Sequence, residues 1–327
     1  MRLTGTLVAA LAASTLIAEA AELRLSGPYV HDNLSIYLVH GQDRVQKKYL
    51  TLSEALEQHK VVVYETGSVN QLQVENLSGE DVYIQSGEIV KGGKQDRVLK
   101  DDFILPTASG KIDITAFCVE HGRWTQRGRE PVQAFAAAPN AIASPEMKRA
   151  VKEAARQTDV WAQVSVAQEQ LAKSLGGVVK SAASESSYQL TLEAPKVQQT
   201  ANGFKKDLAG LADQHPDSLG YVVAVNGKVT GADVYATHDL FRKLWPKMLE
   251  SAAVEAMAAA RPGEKFAPPP MADVRMAATG NGARVSGEQQ LNRRTNSVKA
   301  EFPQGLVFET RDADAPASAV HRTYVAK

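Results

Sequence analysis

Along residues 34–119, apolar and polar positions alternate in short runs, the period-two pattern of strands that bury one face. The runs "LSIYLV", "KVVVYE", "NQLQVENL", "EDVYIQSGEIV", "RVLKDDFILP" and "KIDITAFCVE" are rich in β-branched and aromatic residues. Asn76, Ser78 with Gly79, Gly92 with Gly93, and Ser109 with Gly110 supply the turns between them. One short helix is expected at "TLSEALEQH", capped by Thr51 or Ser53 and turning Leu52, Ala55 and Leu56 inward. The first half is therefore sheet-rich, a β-sandwich or a curved sheet.

After a Pro- and Ala-rich loop, "EPVQAFAAAPNAIASP", the period changes to three or four. Ser144 suits an N-cap and Pro145 a first helical turn. Met147, Val151, Ala154, Thr158, Trp161, Val164 or Ser165, Gln168, Leu171 and Leu175 form one stripe, ended by Gly176 and Gly177. Read as one helix it is roughly 45 Å long and lies along the sheet, with Trp161 in the core. Residues 178–200 are polar and carry no clear period. "FKKDLAGLADQH" reads as a helix stopped by Pro216, and "LGYVVAVNGKVTGADVYA" as a hairpin turning at Asn226 and Gly227. A second long helix, "THDLFRKLWPKMLESAAVEAMAAA", presents Phe241, Leu244, Trp245, Met248, Leu249 and Ala252 on one face and is expected to kink at Pro246.

The fold class that follows is α+β, a sheet-rich, β-sandwich-like core braced by two long helices. The prolines of "RPGEKFAPPP" then break the chain, and the segments from "MADVRMAATG" to "SAVHRTYVA" read as short strands. The expected organisation is a leader over residues 1–20, one α+β domain over 21–260, and a connector with a β-rich tail over 261–327. That tail either completes the first sheet or forms an appendage.

A chain of 327 residues is long enough for a sizeable core. Basic and acidic residues both number 37, so no net field draws in nucleic acid or an anionic membrane. Arg2, the apolar run "LVAALAASTLIAEA" and the small residues at Ala18 and Ala20 match an export leader. The protein is thus expected to be exported, periplasmic or extracellular, with no integral membrane segment after cleavage. Cys118 is the single cysteine, so neither an internal disulfide nor a multi-cysteine zinc site can form. No close pair of metal ligands such as HExxH occurs; His238 and Asp239 are adjacent rather than ligand-spaced, and no metal or cofactor is expected. The GxSxG elbow of serine hydrolases is absent.

Polar residues concentrate in two stretches, "SGEIVKGGKQDRVL" and "CVEHGRW". In the first, Gly92 and Gly93 permit close backbone approach, while Lys94 and Arg97 are suited to an anionic group and Gln95 to a neutral one. "KGGK" lacks the P-loop spacing, and a turn with solvated charges is the plainer reading. In the second, strand alternation places Cys118 and Glu120 on the face opposite His121. A local Cys-His pair is therefore disfavoured; a base would have to come from elsewhere, such as His215 or His238, and a free cysteine is most often a small buried hydrophobe. Arg123 and Trp124 offer a cation stacked on an aromatic, as a binding surface or an ordinary packing contact.

Together, "SGEIVKGGKQDRVL", "ILP", "CVEHGRW" and the later "GYVVAVNGKVTGADVY" and "LFRKLWPKML" resemble the ARPP family, the ARG and rhodanese-phosphatase-superfamily associated protein domain, over about residues 30–258. Its pattern falls on Gly87, Glu88, Gly92, Lys94, Gln95, Arg97, Cys118, Glu120, Gly122, Arg123 and Trp124. The resemblance implies no established activity; its name suggests nucleotide or ADP-ribose handling by association alone. It does imply that the two stretches act together. Side by side, Glu88 and Glu120 would be set by Lys94, Arg97 and Arg123, with His121 and Trp124 beside them. Three readings follow: a binding or interaction module for a small anionic ligand or an acidic protein partner, a hydrolase using Glu88, Glu120 or Cys118, or a buried ion-pair network without further function.

Overall fold

The computed structural model describes residues 23–154 and 156–327, and the leader expected over residues 1–20 lies outside them. The architecture is α+β and sheet-rich, as the alternation implied. The larger sheet has eight antiparallel strands: β1 (Arg24–His31), β2 (Leu34–His40), β12 (Ser218–Val225), β13 (Lys228–Tyr235), β17 (Ala319–Ala326), β16 (Gly305–Asp312), β15 (Thr295–Phe302) and β14 (Arg284–Gln290), in that spatial order. A six-stranded sheet runs β11 (Phe135–Ile142), β7 (Glu88–Gly92), β8 (Arg97–Leu99), β10 (Gly110–Cys118), β5 (Gln71–Asn76) and β4 (Val61–Glu65). A small sheet joins β3 (Leu50–Thr51), β6 (Val82–Ile84) and β9 (Phe103–Leu105).

The central strands of the eight-stranded sheet are covered on both faces, and β2 shows why its sequence is apolar throughout. Ile36 and Leu38 belong to one core cluster while Tyr37 and Val39 belong to another, because successive side chains point to opposite sides. The first face packs on α3 (Gln157–Leu175), α5 (Pro195–Leu208) and α7 (His238–Ala258) through Val164, Phe204, Phe241, Trp245 and Met248. The second packs on α8 (Met271–Thr279) through Val274, Ala277 and Ala278. At the β12–β13 turn Asn226 and Gly227 both have positive φ, 52° and 73°, as a two-residue hairpin of right-handed twist requires. The remaining helices are α1 (Leu52–Glu57), α2 (Pro145–Glu153), α4 (Tyr188–Leu192) and α6 (Leu211–Gln214).

Three local expectations are corrected. The stripe over residues 147–175 is two helices: α2 stops at Ala154, whose ψ is 124°, and α3 starts afresh where Asp159 Oδ2 accepts from the Arg156 N–H at 3.1 Å. The break rotates the buried face, so Val160 and Val164 enter the core and Trp161 is left half-buried. "MADVRMAATG" forms α8 rather than a strand; Val274, Ala277 and Ala278 have helical spacing, and Gly280 ends the helix at φ 67°. Of the two placements open for the tail, the strands after α8 take the one in the main sheet, since β17 pairs with β13 from Gly231 opposite Val325 to Tyr235 opposite His321.

Candidate functional site

The two polar stretches meet at one end of the six-stranded sheet. β7 and β8 pair through Val90 and Arg97, and β8 pairs with β10 through Arg97 and Cys118. Between β7 and β8 the chain turns at Gly92 and Gly93, with φ of 119° and 54°. A Cβ on Gly93 would stand 2.3 Å from the Phe135 ring, so only glycine fits there. The segment 119–134 folds back over this turn, and Arg123 donates from Nη1 to the Gly93 carbonyl and from Nη2 to the Gly92 carbonyl, both at 3.3 Å.

Beneath the turn lies a lattice of two buried carboxylates and two arginines. Asp96 accepts from Arg127 Nη2 at 2.8 Å and Nη1 at 2.9 Å, from the Gly92 N–H at 3.1 Å and from Ser187 Oγ at 3.0 Å. Glu120 accepts from Arg123 Nε at 2.8 Å, from Arg127 Nη1 at 3.4 Å and from the Asp96 N–H at 3.2 Å. Both carboxylates are fully out of water, and each arginine side chain keeps 9% of its surface. Burial pushes the Glu120 pKa up, but the Arg123 hydrogen bond and charge outweigh it and hold the carboxyl below its ordinary value.

The other residues singled out in the sequence divide by environment. Glu88 does not join Glu120: it is buried against α7, where Oε1 meets Lys247 Nζ at 3.1 Å and Oε2 accepts from the Gln85 N–H at 3.0 Å. Arg97 is also buried, donating to the Gln95 carbonyl at 2.9 Å and reaching Glu65 at 3.5 Å. The Gln95 side chain is wholly buried, and neither of its amide atoms has a hydrogen-bond partner among the described residues. Lys94 is half-buried, with no ion-pair partner among the described residues.

Cys118 is buried, and burial pushes its thiol pKa up to about 11, so the thiol is protonated at neutral pH. Its Sγ donates to the Val69 carbonyl at 3.7 Å. Its backbone N–H and C=O both pair with the Gln157 side chain at 2.8 Å, which supplies the hydrogen bonds a neighbouring strand would have made. His215 and His238 serve elsewhere, contacting Tyr29 at 3.1 Å and the Ser218 carbonyl at 2.8 Å. The surface of the 119–134 segment carries His121, whose ring stands edge-on to Trp161 at 4.4 Å, together with Arg129 and Trp124, the last 49% exposed.

Sequence reasoning did not place Arg127, Ser187 and Glu65 at this end of the sheet. Arg127 sits four residues beyond Arg123, the one local hint that both turn toward the same carboxylates. A second buried network also went unseen. His321 Nδ1 meets Asp102 at 2.7 Å and Nε2 meets Asp233 at 3.0 Å, while Lys148 reaches Asp233 at 3.2 Å. All four residues are at most 4% exposed, and they tie β13, β17, α2 and the start of β9 together. Cavities lie apart from both networks: one of about 630 Å³ is lined by Asn33, Phe204, Met257 and Phe266, and one of about 350 Å³ by Glu146, Thr230 and Glu255. Among the described residues no helix is long and apolar enough to cross a membrane.

A family model described as ARPP-1, ARG and Rhodanese-Phosphatase-superfamily-associated Protein domain, matches residues 22–324. The match extends beyond the resemblance read from the motifs and takes in the strands of the tail. No curated protein and no solved structure matches the chain.

Proposed function

The chain belongs to the ARPP-1 family, and from that premise we propose that it is an exported binding module whose 119–134 segment receives an acidic group of a protein partner. Export is supported by the leader-like residues 1–20, with Arg2 ahead of a short apolar run. The observation that carries the binding role is the placement of Trp124. It is half exposed on a segment whose flanking residues, Arg123 and Arg127, are locked onto buried carboxylates. A large aromatic on an anchored stretch of backbone loses less entropy on binding than one on a free loop, and such residues anchor interfaces.

Charge selects the partner. Arg97, Arg123 and Arg127 spend their charge on Glu65, Glu120 and Asp96, and the cations left for a partner are Lys94 and Arg129, neither of which has an ion-pair partner among the described residues. Lys94 follows Gly93, whose carbonyl Arg123 holds, so Lys94 and Trp124 flank one anchored junction. The lattice beneath is the ion-pair network of the structural reading, serving here as the mount. A hydrolase at the same place has less support. Glu120 is a weak base with both oxygens hydrogen-bonded, and Glu88 is buried against Lys247.

The test is a titration with an aspartate- and glutamate-rich peptide at low and high salt, read by tryptophan emission. Saturable quenching that weakens with salt, and disappears in Trp124→Phe and in the Lys94→Gln, Arg129→Gln double variant, is expected. Equal binding by the folded variants, or none by the unaltered protein, would contradict the assignment.

A further inference from the structure

At the far edge of the eight-stranded sheet, away from both polar stretches, three side chains form a hydrogen-bonded chain. Ser26 Oγ lies 2.6 Å from His40 Nε2, and His40 Nδ1 lies 2.9 Å from Asp217 Oδ1. The residues come from β1, the end of β2 and the turn before β12, so only the folded sheet assembles them. We propose that Ser26, His40 and Asp217 form a nucleophile, base and orienting carboxylate that hydrolyse short-chain acyl esters.

The direction of each hydrogen bond follows from chemistry. Asp217 is held below the ordinary carboxylate range, chiefly by its bond from His40 and then by the charges of His40 and Arg24. An ionised carboxylate only accepts, so the proton between them sits on Nδ1. When the ring is neutral, Nε2 carries the lone pair and the Ser26 hydroxyl donates to it, the arrangement a serine nucleophile needs. Arg24, at 2.6 Å from the other Asp217 oxygen, holds the half-exposed carboxylate in place.

Access differs from that of the other buried networks. His40 is 2% exposed, but Ser26 is only half-buried and stands on the outermost strand, where Gly27 and Pro28 bulge from the ladder and are exposed. The Tyr29 hydroxyl lies 3.2 Å from Ser26 Oγ and 3.1 Å from His215 Nε2, within reach of an oxygen on a carbon joined to Ser26. Ser26 lines neither of the two cavities described above, so an open strand edge suits a small acyl group rather than a long chain.

In the reaction, Ser26 Oγ bonds to the ester carbonyl carbon while its proton passes to His40 Nε2. The bond from that carbon to the alcohol oxygen breaks, and the alcohol leaves with the proton from His40. Water then attacks the acyl-serine, His40 takes its proton and returns it to Ser26 Oγ, and a carboxylic acid is released. Tyr29 donates to the carbonyl oxygen as it gains charge, and the His215 ring, 5.6 Å from that of His40, flanks the base.

The test is reaction of the full chain with a fluorophosphonate, with the adduct located by peptide mass, alongside hydrolysis of p-nitrophenyl acetate. An adduct on Ser26 in native but not urea-unfolded protein is expected, falling about tenfold or more in folded Asp217→Asn and His40→Gln. Ester hydrolysis should fall about a hundredfold in Ser26→Ala and less in Tyr29→Phe. No Ser26 adduct on the unaltered native protein overturns the proposal whatever the variants do, as does equal labelling of folded Asp217→Asn. Either result leaves the binding role of the 119–134 segment standing, since the two sites share no residue.

Discussion

Asp96 and Arg127 face each other through two hydrogen bonds of 2.8 and 2.9 Å, with the carboxylate wholly out of water. A guanidinium matches a carboxylate in this two-pronged way, which a lysine cannot do. The pair fastens an irregular surface segment to the end of a sheet; Arg123 adds a second tie through the Gly92 and Gly93 carbonyls, while its Nε meets Glu120 within the segment. Removing Arg127 leaves Asp96 buried without its two-pronged partner, with Arg123 at 3.8 Å as the remaining cation. Arg127→Met is expected to destabilise by about 3–5 kcal/mol, and Arg127→Lys by less, in urea unfolding. An unchanged midpoint for Arg127→Met would mean that the pair is not closed in solution.

Cys118 should be inert. Its thiol is buried, protonated at neutral pH and directed at the Val69 carbonyl. Iodoacetamide at pH 8 should leave the native protein unmodified and alkylate it fully in urea. Rapid native labelling would restore the thiol as a candidate nucleophile.

Gln95 invites the opposite kind of substitution. Its buried amide has no partner among the described residues, and each such group carries a desolvation penalty. Gln95→Met keeps most of the volume and removes the polar atoms, so a gain of about 1 kcal/mol in unfolding free energy is expected. A loss of several kcal/mol instead would show that the amide makes hydrogen bonds in solution.

Stability should vary with pH through the His321 network. Burial disfavours the imidazolium, yet the charge and hydrogen bond of Asp102 and then those of Asp233 outweigh it and raise the pKa above 6.5. The folded state thus binds this proton more tightly than the unfolded chain, so the contribution is whole below about pH 6.5 and lost as pH rises through the folded value. Asp102 and Asp233 have the reverse sign: burial raises each, but His321 with Lys152 holds Asp102, and Lys148 with His321 holds Asp233, below 3.8, and their contribution is lost as pH falls through the folded values. Unfolding midpoints from about pH 5 to about pH 10 should therefore decline on the alkaline side, and His321→Gln should flatten that decline. An unaltered pH profile in the variant would contradict this account of the network.

What was legible in the sequence was local. Asn226 and Gly227 specify their hairpin by backbone conformation alone, and β2 announces burial by its composition. The break between α2 and α3 was hidden because it depends on one side chain, Asp159, capturing the Arg156 N–H, and on Gln157 being drawn to the edge of β10. The site was half legible for the same reason. The motif residues other than Glu88 do gather at one end of a sheet, but of their partners only Arg127 is close in sequence; Glu65, Ser187 and the Lys247 that holds Glu88 come from other parts of the chain, and spacing carries no sign of them. Glu88 and Glu120 are accordingly separated, each neutralised by a different element.

The claim on which the rest depends is that a buried lattice holds the 119–134 segment in one conformation beneath Trp124. Amide hydrogen exchange tests it most directly, because the segment is irregular and would exchange fast without that anchor. Slow exchange at Val119, whose N–H donates to the Asp96 carbonyl at 3.0 Å, and at His121, whose N–H donates to Ser186 Oγ at 2.9 Å, is predicted for the unaltered protein. Asp96→Asn should accelerate both while leaving β5 and the β5 half of β10 protected. Fast exchange across the segment in the unaltered protein, with the sheet intact, would contradict the account.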